Sequence, residues 1–416
     1  METLFLSPVL ILTIAGILGL FMAWGIGAND VANAMGTSVG SKALTLKQAI
    51  IIAAIFEFLG AYLAGGEVTS TIRKGIVDPQ IYTTDLNIFI IGMMSSLLAA
   101  GSWLYIASNK GWPVSTTHSI VGAIVGFVVI TKGIDAVSWS KVGEIASSWI
   151  TSPLIAGILA FFIYLSAQKL IINAKNQIAA AIFYIPFYSF FVTGVIAQVI
   201  ARKGLSHIGL SWSDDEILVF TTLMALLAGG LTSLVLRLKK ESISSKGGIE
   251  YAFGILMIVT ACAMAFAHGS NDVANAIGPV AAIISVVNSN DLSSTAPINP
   301  AVLLLGGAGI VFGLATLGYK VIKTVGEKIT KLTPSLGFSA EMAAASTVVF
   351  ASYLGFPIST THTLIGGVIG VGLANGAKNL DWSSVYRIFA SWIITIPVGA
   401  VLTILFYVLL RVMFGV

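Results

Sequence analysis

Two carboxylates stand inside long apolar stretches of this sequence, each within the same eight-residue pattern. Residues 27–34 read Gly-Ala-Asn-Asp-Val-Ala-Asn-Ala, and residues 269–276 read Gly-Ser-Asn-Asp-Val-Ala-Asn-Ala. A charged side chain at the centre of a membrane helix costs about 2.5–3.5 kcal/mol on insertion scales, so such residues are usually functional. Asp30 and Asp272 are therefore the first candidates for chemistry.

Asparagines flank both acids at spacings that bring them to one helix face, because positions three and four apart are neighbours on a helix. The nearby glycines permit helix breaks that would free backbone carbonyls. Carboxylate, amide and carbonyl oxygens are hard ligands for a small cation, and sodium matches one negative charge per site. A helix-packing face is the alternative, but it explains the glycines and alanines rather than a duplicated acid. The predicted sodium ligands are Asn29, Asp30, Asn33, Asn271, Asp272 and Asn275.

A second pair of motifs follows the acids: Pro-Val-Ser-Thr-Thr-His at 113–118 and Pro-Ile-Ser-Thr-Thr-His at 357–362. Proline suits the entry to a helix, and a serine two residues later can cap it. The start of a helix presents free amide donors and a partial positive charge, which together bind anions. An ordinary cap at a membrane boundary is the alternative for a single copy. The predicted oxyanion-binding residues are Ser115, Thr116, Thr117, Ser359, Thr360 and Thr361.

Neither hydroxyl motif contains a lysine or an arginine. An anion held only by neutral donors in a low-dielectric site pays a large desolvation penalty, which a neighbouring bound cation would offset. The two kinds of motif therefore predict coupled binding of a cation and an anion. Glu57 and Glu341 also lie in apolar segments and are candidates for additional coupling or gating.

Composition excludes a soluble protein. Of 416 residues, 56% are hydrophobic and 10% are charged, and the mean hydropathy is +0.95, whereas soluble domains carry about 25% charged residues. The net charge of +4 comes from basic residues beside membrane helices, so it indicates a lipid bilayer and no nucleic acid. We expect an all-α polytopic membrane protein.

Twelve segments are long and apolar enough to be candidate spans. They are 4–26 (continuing, broken, to about 40), 43–66, 86–108, 112–131, 147–167, 178–200, 216–237, 250–268 (continuing, broken, to about 288), 301–323, 339–354, 358–375 and 388–414. Both motifs recur in the same order with similar spacing, which indicates an internal duplication. The predicted divisions are a first repeat at 1–168, two connecting spans at 169–248 and a second repeat at 249–416.

Equivalent points of the two repeats are separated by seven spans, the five of the first repeat and the two connecting spans. Because seven is an odd number of crossings, the repeats are predicted to have inverted topology, with broken helices or re-entrant hairpins. Most lysines and arginines fall in loops after odd-numbered spans. The positive-inside rule makes those loops cytoplasmic and both termini external.

The four motifs together resemble the inorganic phosphate transporter (PiT) family over essentially the whole chain. The resemblance implies import of inorganic phosphate by sodium or proton symport, inverted repeats, external termini and a homodimer. We expect the protein to lie in the plasma membrane. The resemblance also implies that Asp30 and Asp272 handle the coupling ion, that the Ser-Thr-Thr triplets handle phosphate, and that Glu57 and Glu341 are important.

The expected function is phosphate import by cation symport through alternating access, with sodium favoured over protons and no cofactor. A sulfate permease of the same fold is the alternative within the transport class. An anion channel is disfavoured because buried acids oppose anion conduction. An intramembrane enzyme is disfavoured because Ser115 and His118 have no orienting acid nearby in sequence, so we expect that the chain is not an enzyme.

Overall fold

Helices dominate the computed structural model of the protein, which describes residues 4–74, 77, 79–204, 210, 212–245, 248–289, 298–328, 332–376 and 380–416. The main helices are α1 (Pro8–Gly40), α2 (Leu46–Ala64), α4 (Leu86–Asn109), α5 (Thr116–Lys132), α6 (Trp139–Ala167), α7 (Gln177–Val199), α8 (Asp214–Leu238), α10 (Ile249–Ser289), α11 (Pro300–Thr316), α13 (Pro334–Tyr353), α14 (Thr360–Ala374) and α15 (Trp382–Phe414). Short helices are α3 (Gly66–Lys74), α9 (Lys240–Ser245) and α12 (Gly318–Lys328). Within the described residues, extended pairing is limited to one isolated bridge between Val77 and Val137.

Each of the twelve predicted apolar segments overlaps at least one helix. Eight helices of the described chain are long and apolar enough to cross a membrane, while α5, α11 and α14 are apolar but shorter. The all-helical, multi-pass membrane class predicted from composition is therefore confirmed. The count of twelve spans stays a prediction, as do the divisions after residues 168 and 248.

The predicted helix breaks at the two Asn-Asp motifs are wrong. Helix α1 runs without interruption through residues 27–34, and α10 does the same through residues 269–276. The chain is instead interrupted between α4 and α5 and between α13 and α14, where Pro113 and Pro357 lie. Proline has no N–H to continue a helix, whereas a glycine costs a helix only about 1 kcal/mol and packing readily outweighs that cost.

The predicted span 301–323 is also divided. Helix α11 ends at Thr316, and α12 begins at Gly318 as a separate helix that carries Lys320 and Lys323. Two cations within one turn are costly in an apolar environment. A shorter helix keeps these lysines out of the apolar segment.

The two halves of the chain pack in matched pairs. Helix α1 packs against α4, α11 and α12, and α10 packs against α13, α2 and α3. Likewise α5 packs against α15, and α14 packs against α6. Each half therefore supplies part of the surroundings of the other half's motif helix, and the core lies around the buried middle of α1 and α10. Helices α7 and α8, from the connecting segment, pack mainly against each other.

Glycines of the Asn-Asp motifs allow this close packing. A Cβ atom added at Gly27 would overlap the carbonyl oxygen of Ile310 in α11. A Cβ added at Gly269 would overlap the carbonyl oxygen of Glu57 in α2. Small residues let membrane helices approach at backbone distance. The packing explanation thus accounts for the glycines of the repeated motif and leaves its acids to be explained.

We expect Gly27→Ala and Gly269→Ala each to destabilise the protein by about 1–3 kcal/mol, because overpacking forces helices apart. The matched control is Gly230→Ala in α8, where an added Cβ meets nothing within 4 Å. Thermal unfolding of the purified variants in detergent measures the effect. Unfolding midpoints of the two motif variants equal to that of the control variant would contradict the packing role.

Candidate functional site

Both acids are buried, and each accepts a hydrogen bond from the first residue of the short helix that follows in its own half. Thr116 Oγ1 donates to Asp30 Oδ2 at 2.7 Å, and Thr360 Oγ1 donates to Asp272 Oδ2 at 2.6 Å. All four residues are at most 2% exposed. The predicted cation and anion motifs therefore lie in direct contact.

Further hydrogen bonds cross between the halves. Asn33 Nδ2 donates to Thr361 Oγ1 at 2.8 Å, and Asn275 Nδ2 donates to Thr117 Oγ1 at 3.2 Å. Thr361 Oγ1 also lies 3.3 Å from Asp30 Oδ1, to which it donates. The two copies of each motif consequently form one continuous network in the centre of the protein.

Asn29 and Asn271 form hydrogen bonds with the main chain of the segments that precede α5 and α14. The amide of Asn29 donates to the carbonyl oxygen of Trp112 at 2.9 Å and accepts from the N–H of Val114 at 3.1 Å. The amide of Asn271 donates to the carbonyl oxygen of Phe356 at 3.1 Å. These contacts fix the connections from which α5 and α14 begin, in addition to any role in binding ions.

The predicted serine caps are confirmed. Ser115 Oγ accepts from the N–H of His118 at 3.2 Å, and Ser359 Oγ accepts from the N–H of His362 at 3.3 Å. The N–H groups of the first residues of a helix have no partner within the helix. The amides at the start of α5 and α14 are thus the main-chain donors that remain for an anion.

The two helix starts lie against each other. Thr117 Oγ1 donates to the carbonyl oxygen of Ile358 at 2.9 Å, and Thr361 Oγ1 lies 3.4 Å from the carbonyl oxygen of Val114. Two helix N-termini, each with a partial positive charge, therefore converge beside two carboxylates. Within the described chain, no buried lysine or arginine adds positive charge.

His118 and His362 lie behind the helix starts, away from the acids. Their rings are 4.4 Å apart, and each Nδ1 lies 3.2 Å from a main-chain carbonyl oxygen of the opposite half, at Trp392 and Trp149 respectively. The rings of His118, His362, Trp149 and Trp392 border an apolar cavity of about 740 Å³ between α6, α14 and α15. The two histidines therefore serve packing between the halves.

The two glutamates singled out in the sequence occupy different places. Glu57 of α2 is completely buried and lies 3.3 Å from His268, measured from Oε1 to Nδ1. Glu341 of α13 accepts hydrogen bonds from Thr37, from Ser38 at 2.6 Å and from Thr260 at 2.7 Å. Glu57 thus joins the central acids through His268, whereas Glu341 forms a separate cluster of hydroxyl groups.

His268 is a site residue that the motif analysis did not include. Its Nε2 atom lies 3.0 Å from Asp272 Oδ2 and 3.9 Å from Asp30 Oδ2. The sequence carried one signal, because this position is Ile26 in the first copy and breaks an otherwise regular duplication. A histidine that replaces an apolar residue beside a duplicated acid is a reason to expect a specific role.

Comparisons with known proteins agree with this architecture. The sequence profile of the phosphate transporter family matches residues 26–403. A Haemophilus influenzae protein assigned as a phosphate permease is 49% identical over 407 residues, which cover 97% of each chain. The chloroplastic inorganic phosphate transporter 2-1 of Arabidopsis thaliana is 44% identical, over 93% of this chain and 70% of its own length.

A solved structure, that of a sodium-dependent phosphate transporter, superposes with a TM-score of 0.89 at 39% identity. The superposition covers 97% of this chain and 99% of that chain. These relatives are transporters and permeases, which agrees with the expectation that the chain is not an enzyme. From the profile match and the identity along nearly its full length, the chain belongs to the phosphate transporter family.

Proposed function

We propose that this protein imports inorganic phosphate by symport with a cation, sodium in preference to protons. The carrying observation is the single hydrogen-bonded network that joins Asp30 and Asp272 to the starts of α5 and α14. The sodium dependence of the similar solved transporter supports sodium as the coupling ion. The residues of the network supply ligands for both substrates.

Phosphate is proposed to bind between the two helix starts. Main-chain amides and the helix ends supply donors and partial positive charge there. The proposed phosphate residues are Ser115, Thr116, Thr117, Ser359, Thr360 and Thr361, with the two serines acting through their capping of the helices.

Nearby acids favour phosphate over sulfate. Phosphate near neutral pH carries at least one O–H group, which can donate to a carboxylate. Sulfate has no such proton, and it would place its negative oxygens against Asp30 or Asp272 without a donor between them. We therefore rank sulfate permeation second.

Sodium is proposed to bind to oxygens of Asn29, Asp30, Asn33, Asn271, Asp272 and Asn275. Within the described chain, Asp272 Oδ1, Asn271 Oδ1 and Asn275 Oδ1 are buried and make no hydrogen bond. Buried polar atoms nearly always have a partner, and oxygen atoms without a donor are suited to a cation. Glu57 and Glu341 are proposed as additional coupling or gating residues.

Twelve spans, inverted repeats and alternating access complete the proposal. The exchange of packing partners between the halves supports a pair of structurally related units around a central site. We also propose a homodimer in the plasma membrane with both termini outside, on the basis of the family resemblance and the distribution of basic residues.

Uptake of labelled phosphate into proteoliposomes tests the function. An inward sodium gradient should drive phosphate above its equilibrium level, and a tenfold excess of sulfate should compete weakly. An inward proton gradient without sodium tests the alternative ion, and protein-free liposomes are the control. Failure of both gradients to drive accumulation would reject symport, and equally strong competition by sulfate would reject the preference for phosphate.

A further inference from the structure

The side chains of Asp30, His268 and Asp272 form a compact buried cluster. One ligand atom from each lies within 4.8 Å of the others. His268 and Asp272 are four residues apart on α10, which puts both on one face of that helix. Asp30 faces them from α1. Two helices thus bring one imidazole and two carboxylates to a common point.

Carboxylates surround His268 in this cluster. Its side chain is fully buried, and its ring nitrogens lie 3.0 Å from Asp272, 3.3 Å from Glu57 and 3.9 Å from Asp30. Asp272 Oδ1 is also buried, without a donor among the described residues. A buried carboxylate oxygen without a donor is rare, and beside an imidazole and a second carboxylate it indicates a bound cation.

We propose that Asp30, His268 and Asp272 bind a divalent transition-metal ion such as Zn²⁺ or Co²⁺. Imidazole nitrogen suits these metals and is not a ligand that sodium prefers. The ligand atoms of a tetrahedral zinc ion, each about 2.0–2.2 Å from the metal, lie roughly 3.3–3.6 Å apart. The distances from His268 Nε2 to the two carboxylates, 3.0 and 3.9 Å, bracket that spacing. Two carboxylates also match the charge of one dication.

Glu57 completes the arrangement as a positioning residue. Its Oε1 atom lies 3.3 Å from His268 Nδ1, on the opposite side of the ring from the two aspartates. A carboxylate on the second ring nitrogen is the usual support of a metal-ligating histidine, because it fixes the tautomer and the ring orientation. The Glu57 contact leaves Nε2 as the nitrogen that ligates the metal.

The metal site rests on the proposed sodium site only in that both cations use Asp30 and Asp272. Occupation by a dication would therefore exclude sodium from these acids. Micromolar Zn²⁺ should inhibit sodium-driven phosphate uptake, and a higher sodium concentration should relieve that inhibition.

Titration of the purified full-length protein with Co²⁺ in sodium-free buffer, followed by visible absorption, tests the site directly. The wild type should give saturable binding, which sodium displaces. His268→Asn should weaken cobalt binding at least 100-fold, and Glu57→Gln should weaken it about 10- to 100-fold. His118→Ala, which removes a buried histidine away from the acids, is the control and should bind cobalt as the wild type does.

Absence of saturable binding to the wild type, or equal affinity in His268→Asn, would overturn the proposal. If His268→Asn does not elute as a folded protein, Glu57→Gln and sodium competition decide the question, and unchanged cobalt affinity in both measurements overturns it. Sodium-driven phosphate uptake without cobalt binding would remove only the metal site. Cobalt binding without sodium-driven uptake would support the metal site and reject the proposed symport.

Discussion

Asp30→Asn and Asp272→Asn are each expected to lower sodium-driven phosphate uptake about 100-fold, equivalent to about 2.7 kcal/mol. Asparagine preserves the size of the side chain and can still accept the hydrogen bond from Thr116 or Thr360. It removes the negative charge that holds the cation. Because phosphate relies on neutral donors, loss of the cation should weaken phosphate binding as well. Initial uptake rates in proteoliposomes and equilibrium phosphate binding measure the two effects.

Asp85→Asn is the matched control for these substitutions. Asp85 is partly exposed, pairs with Lys132 at 2.6 Å and belongs to neither kind of motif. Exposed ion pairs contribute only about 0–1 kcal/mol, so uptake should be unchanged. Phosphate binding with unaltered affinity and unaltered response to sodium in both motif variants would contradict the coupling between the acids and the helix starts.

Thr116→Val and Thr360→Val are expected to lower phosphate uptake about 10- to 100-fold. Valine keeps the shape of threonine but removes the hydroxyl that donates to Asp30 or Asp272. Hydrogen bonds to charged groups contribute about 1.5–3 kcal/mol, and the loss leaves a buried carboxylate with fewer donors. Sodium dependence and phosphate affinity should both change, which uptake measured across sodium concentrations detects.

Thr363→Val provides the control within the same helix. Thr363 is buried like Thr360, but its hydroxyl donates only to the carbonyl oxygen of Ser359 at 2.8 Å. A double-mutant cycle with Asp30→Asn and Thr116→Val adds a second check. The two changes should be strongly non-additive because they break one interaction. Equal losses in Thr363→Val and Thr360→Val would show that the hydroxyl at the helix start has no special role.

Several features of the fold and site could be predicted from sequence because they depend on local chemistry. Apolar segment length predicted the helices, and Pro-x-Ser predicted the caps at Ser115 and Ser359. The presence of an acidic residue within an apolar segment singled out Asp30 and Asp272. In each case the cause lies within a few residues, so it can be recognised without knowledge of the tertiary structure.

Other features depend on contacts between distant segments. Gly27 predicts a helix break when only its neighbours are considered, but its role depends on the carbonyl of Ile310, almost three hundred residues away. The alignment of His268 with both aspartates and Glu57 requires α1, α2 and α10 to meet. The spacing of residues in the sequence does not predict this contact between the three helices. The single indication in the sequence is that His268 occupies the position of Ile26 in the first copy of the motif.

The most direct test of the central claim is equilibrium binding of phosphate to the purified wild-type protein at increasing sodium concentration. The account predicts that phosphate affinity rises with sodium by about 5- to 150-fold, and that saturating phosphate raises sodium affinity by the same factor, since coupling between two ligands is reciprocal. Potassium at equal ionic strength should have no such effect. Phosphate affinity that is independent of sodium would contradict the claim that a cation held by Asp30 and Asp272 enables the two helix starts to bind phosphate.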